Sequence, residues 1–177
     1  MKKSVIIFCL SLILTSCSVN SSEPTHNQFQ ITLNDIFKHQ HSTSIYQFEL
    51  ITEQLSTVKD KERLAYISGM IDSYLINNPL FLPATIFNNE ETKLIIADEQ
   101  LQSDIVLLYQ NKKEYLKQIQ SFIAENDLKK IQSKQVELSK LSASMKRIND
   151  DRLFSNDQTK IASYKKELET AIRQFPN

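Results

Sequence analysis

Apolar residues recur at three- and four-residue steps along most of the chain. From Ser44 onward, Ile45, Phe48, Ile51, Leu55 and Val58 mark one helical face, and from Asp60 a second face carries Leu64, Ile67, Ile71, Tyr74 and Leu75. These two helices are expected to pair. Farther on, Leu101, Ile105, Leu108, Lys112, Tyr115, Ile119 and Phe122 form a heptad-like seam with one polar interruption. A second seam runs through Leu128, Ile131, Gln135, Leu138, Leu141, Met145 and Ile148. The last face holds Ile161, Tyr164, Leu168, Ile172 and Phe175, with Ser155 or Asn156 as its cap and Asp157 in its first turn.

The breaks between these faces set the topology. Asn77-Asn78-Pro79 ends the second helix, because proline disfavours helical geometry at the preceding residue and has no N–H to donate. The two long seams differ in phase, and Glu125-Asn126-Asp127 sits at the change. A helix continuing through a stutter would run from Asp98 to Asn149, about 78 Å at 1.5 Å per residue. A reversal would give an antiparallel hairpin, and this is the expectation, since an exposed apolar seam of that length would need a partner. Thr32 and Asp35 resemble a capping box ahead of Leu33, Ile36 and Phe37, after which Lys38-His39-Gln40-His41-Ser42 reads as a polar loop. Leu94-Ile95-Ile96-Ala97 is expected to be helical like its neighbours. Gly69 lies inside the second helix at a cost of about 1 kcal/mol relative to alanine, to be offset by close approach of a neighbouring helix or explained by a kink.

Composition narrows the chemistry. One glycine and four prolines leave few sites for tight hairpin turns, and phosphate-cradling loops, dinucleotide fingerprints and nucleophile elbows need glycines that the chain lacks. The fold class is therefore all-α: a helical bundle or hairpin with long heptad-patterned helices, in one domain over residues 29–177.

The N-terminus has a basic start at Lys2 and Lys3, an apolar stretch from Val5 to Leu14 broken by Ser11, and small residues from Thr15 to Ser18. About ten apolar residues are too few for a hydrocarbon core that needs about twenty. A conventional signal-peptide cut before Cys17 would place Leu14 where a small residue is required, whereas a cut after Ser18 would satisfy the rule through Ser16 and Ser18. Leu14-Thr15-Ser16-Cys17 resembles the lipobox of bacterial lipoprotein precursors. That resemblance covers only about the first twenty residues. It implies removal of residues 1–16 as a signal peptide and acylation of Cys17, by chains such as palmitate, to give a membrane anchor. Ser18 after the cysteine resembles an outer-membrane sorting signal of Gram-negative lipoproteins. Residues 17–28 then form the lipid anchor and a flexible polar tether, which as a random coil spans on the order of 18 Å.

In the mature chain Cys9 is lost and Cys17 is committed to lipid, so no internal disulfide is expected. Removing Lys2 and Lys3 from the 21 basic residues leaves 19 against 21 acidic, which does not point to nucleic acid.

Candidate chemistry is thin. The His39 and His41 pair sits without a cysteine or a nearby carboxylate in sequence, so a solvated loop is expected in place of a metal site. Ser56-Thr57-Val58-Lys59 and Ser163-Tyr164-Lys165-Lys166 match a Ser-x-x-Lys spacing, but the companion motifs of penicillin-binding enzymes are absent. Glu90 and Glu91 read as a helix first turn, and the tyrosines as edges of the core. No catalytic residue, metal or cofactor is expected. Leu80, Phe81, Leu82, Ile86 and Phe87 belong to the most apolar mature segment, either a plug for the open end of the bundle or a partner-contact surface.

The sequence thus predicts a lipid-anchored, non-enzymatic protein facing the periplasm, binding a protein as an accessory or scaffold of an envelope assembly or signalling system. A periplasmic immunity protein against a toxin is the alternative, and an enzyme with an unrecognised site the second.

Overall fold

The computed structural model describes residues 26–88 and 96–176. The chain divides into two units, Met1–Thr32 and Leu33–Asn177. The lipobox and most of the tether lie outside the described residues, as do Glu90, Glu91, Leu94 and Ile95. In the first unit the helical turns begin at His26, and Thr32 Oγ1 donates back to the Gln28 carbonyl at 2.9 Å. Thr32 is therefore inside a helix and does not cap one.

The elements are α1 (His26–Ser56), α2 (Lys61–Ile76), α3 (Phe81–Phe87), α4 (Glu99–Ala124), α5 (Leu128–Ser133), α6 (Gln135–Ile148), a 3₁₀ turn (Asp151–Phe154) and α7 (Gln158–Ile172). No strand occurs among the described residues, and the all-α bundle read from the sequence is the fold. None of the described helices is long and apolar enough to cross a membrane.

Helix starts follow capping chemistry. Asp60, Asp98, Asp127 and Asp157 each accept a backbone N–H from the first turn of α2, α4, α5 and α7. At α7 the cap is Asp157, not Ser155 or Asn156, because the Ser155 hydroxyl is turned to accept from the Asp157 N–H at 3.1 Å. The end of α4 decides the hairpin question. Asn126 adopts φ 56°, Asn126 N–H donates to Ile123 O at 2.9 Å, and Asp127 N–H donates to Phe122 O at 3.0 Å. This is a Schellman stop with asparagine in the left-handed position usually held by glycine. The helix ends there and the chain reverses.

Side-chain pairings give the directions within the second unit. His41 meets Tyr109, Ser44 meets Lys112 and Phe48 meets Tyr115, so α1 and α4 run parallel. Tyr164 against His41 and Phe175 against Phe48 make α7 parallel to them. Ser44 with Tyr74 and Gln54 with Arg63 make α2 antiparallel, as do Val58 with Gln135 and Ser42 with Asn149 for α6. The five seams predicted from the sequence supply most of one continuous core, from Ile45, Ile51 and Leu55 through Ile67, Ile105 and Ile119 to Leu138, Met145 and Leu168. The run expected to be a loop, Lys38 to Ser42, is a continuous part of α1, with Phe37, His41 and Ser44 turned inward.

Candidate functional site

Between α1 and α2 lies a surface groove of about 660 Å³ lined by Tyr46, Leu50, Tyr66, Gly69 and Met70, with Tyr74 at its base. It exists because of what these positions omit. A Cβ built on Gly69 would meet nothing within 4 Å, so no neighbouring helix approaches there, and neither a close contact nor a steric need for glycine accounts for the residue. The ~1 kcal/mol helix penalty of glycine is not offset by packing at this site. Tyr46 and Tyr66 are 54% and 60% exposed, off the seams that face the core. The Arg63 guanidinium lies 4.9 Å from the Tyr66 ring centroid and is held by a hydrogen bond to Gln54, which bridges the two helices and fixes one end of the groove. Along α2 the three- and four-residue steps Tyr66, Gly69, Ser73 and Ile76 continue the same face, and Ile76 is 82% exposed.

The predicted contact segment divides between core and surface. Ile86 and Pro83 are buried, and Phe87 packs edge-on against Phe37 with ring centroids 5.4 Å apart. Leu80 and Leu82 are half-buried against the core, and Phe81 alone of the five candidates is exposed, at 67%. Phe81 borders a shallow depression of about 510 Å³ that reaches Lys113.

Beneath the groove lies a buried polar cluster whose members come from four helices. Ser44 Oγ and Tyr74 Oη are 3.1 Å apart, and Lys112 Nζ donates to Ser44 Oγ at 2.9 Å. Lys112 Nζ also lies 4.0 Å from the Tyr109 ring centroid. His41 uses both ring nitrogens, Nδ1 at 3.1 Å from Tyr109 Oη and Nε2 at 2.8 Å from Tyr164 Oη. A neutral imidazole needs one donor and one acceptor, and tyrosine hydroxyls supply either. Lys112 is fully buried and His41 nearly so. Burial is the main cause that pulls the His41 pKa from 6.5 down to about 3, and a proton on Lys112 would lower it further. Burial holds Lys112 well below 10.5 and pushes the phenols of Tyr74, Tyr109 and Tyr164 upward.

The expected solvated His39 and His41 pair is thus separated by the helix itself. Two residues apart, the rings face different ways: His39 is exposed and His41 is inside the bundle. No group of three or more His, Cys, Asp or Glu placed to hold a metal occurs among the described residues. Neither Ser-x-x-Lys serine forms a catalytic pair: Ser56 donates to the Glu53 carbonyl at 2.7 Å, and Ser163 accepts from Arg152 at 3.0 Å. Cys17 and the lipobox residues Leu14, Thr15 and Ser16 lie outside the described residues.

Sequence periodicity did not single out the groove. Its one local signal was Gly69 in mid-helix with tyrosines three residues before it and across the pair. Comparison with family models, with curated proteins and with solved structures finds no match for this chain.

Proposed function

We propose that this protein is a lipid-anchored helical adaptor of the bacterial envelope that binds a partner protein and performs no catalysis. The observation that carries the reading is the α1–α2 groove, where two exposed tyrosines, a leucine and a methionine surround a glycine that no packing contact requires. Tyrosine anchors and adaptable methionine are the side chains that protein interfaces favour, and a trough between two helices suits an amphipathic partner helix. The lipobox resemblance supports attachment through Cys17, with outer-membrane placement facing the periplasm. Several acyl chains on one residue hold a soluble domain stably, whereas a single chain holds only marginally.

A photo-crosslinking residue in place of Tyr66, in the native lipidated protein, tests this. Crosslinking to one envelope protein, abolished when Gly69→Trp fills the groove while the melting temperature holds, is the expected result. A secreted toxin as the crosslinked species would establish the immunity alternative. Crosslinking that is unchanged by Gly69→Trp would remove the groove from the binding reaction. In the same membranes, Cys17→Ala is expected to leave an unlipidated precursor with the helical domain intact, read by fractionation and circular dichroism.

A further inference from the structure

We propose that the cluster around Lys112 and His41 is an acid-sensitive latch: the bundle closes around the neutral forms of both bases, and protons favour a form in which α1 and α7 have parted from α4. The inference rests on what surrounds the two bases. α1 contributes His41 and Ser44, α2 contributes Tyr74, α4 contributes Tyr109 beside Lys112, and α7 contributes Tyr164. α3 carries no titratable side chain. From outside the cluster, the charges of Asp150 and Arg152 act on Tyr164. Among the described residues no carboxylate is bonded to Lys112 or His41. Every hydrogen-bond partner is a neutral hydroxyl.

A buried ammonium needs a counter-charge to offset the hydration it has lost. The Tyr109 face, 4.0 Å away, returns only part of that loss. Lys112 therefore sits in the closed bundle as an amine, and His41 as a neutral imidazole between two phenols. Opening exposes both to water, where Lys112 takes up one proton at any pH below about 10 and His41 takes up a second below about pH 6.5. The sign follows: the open form binds more protons, so the closed form loses ground as pH falls. For Lys112 that loss spans the range between its open and closed pKa values. For His41 it begins near 6.5 and ends at about 3.

The window from about pH 8 to about 6.5 isolates Lys112, because carboxylates titrate below it and phenols above it. Amide hydrogen exchange around Ser44 and Lys112 is expected to show an opening constant that rises about 10-fold for each pH unit lost in this window, and more steeply below it. In Lys112→Met the rise within the window should vanish, and only a rise of about 10-fold per pH unit, from His41 alone, should remain below it. A wild-type opening constant that is flat in the window, or the same slope in both proteins, would overturn the latch. Lysine side-chain nitrogen NMR on the unmutated protein decides independently of whether the variant folds. A Lys112 amine resonance near pH 7 supports the proposal, and an ammonium resonance there refutes it.

Discussion

Tyr164 illustrates how far single-residue effects here depend on partners remote in sequence. Its hydroxyl is the only group on α7 bonded to His41, 123 residues away. Tyr164→Phe keeps the ring and removes that bond, leaving a buried imidazole nitrogen unmatched. We expect a loss of about 1–3 kcal/mol, read as a lower urea midpoint with unchanged slope. Lys112→Met should act in the opposite direction near neutral pH. It replaces a base that the fold must keep neutral by an apolar side chain of similar length, and a gain of about 1–3 kcal/mol is expected from a thermal melt. Tyr115 adds a smaller irregularity. Its hydroxyl is buried with no partner in hydrogen-bond geometry, and burial together with the nearby Glu137 carboxylate pushes its pKa upward.

Among the elements, the turn after α4 and the joint between α6 and α7 carry the most specific chemistry. Asn126 holds a left-handed φ of 56°, which costs a residue with a Cβ roughly 1–2 kcal/mol and costs glycine nothing. Asn126→Gly should therefore stabilise the bundle by about 0.5–1 kcal/mol, and Asn126→Ala should destabilise it by a similar amount, both measurable by thermal melting. At the second joint, Arg152 bonds Glu167 at 2.9 and 3.1 Å, Asp150 at 2.7 Å and the Arg147 carbonyl at 2.7 Å. The guanidinium holds the Glu167 carboxyl below its usual range. That contribution is present above pH ~4.5 and is lost as pH falls through the lowered value; the half-open setting limits it to about 1 kcal/mol. The helix faces were legible because burial imposes the 3.6-residue period on every seam, and Lys112 was placed at its correct seam position. The polar content of Lys38 to Ser42 hid a helix, since what makes His41 an interior residue is a pair of phenols on α4 and α7 that no local pattern reveals. The groove escaped for the related reason that its tyrosines are defined by what fails to cover them.

For the molecule as a whole, Gly69 separates stability from binding. Gly69→Ala places a methyl group in open space and recovers helix propensity, so a gain of about 0.5–1 kcal/mol is expected, while the larger Gly69→Trp should block a partner without unfolding the domain. Scanning calorimetry and the crosslink from position 66 read the two effects apart. The central place of α1 has a further consequence, for the order in which the bundle is made. α1 is the first long helix of the domain to leave the ribosome, yet its buried groups bond to residues 30, 68 and 123 positions downstream. Contacts of such separation delay folding until both ends are present, and an amphipathic helix waiting for them is prone to aggregation. Nascent α1 therefore keeps part of its apolar face uncovered until Tyr164 and Phe175 arrive, so chains halted before α7 should be held by chaperones or cleaved by proteases that leave the finished bundle intact.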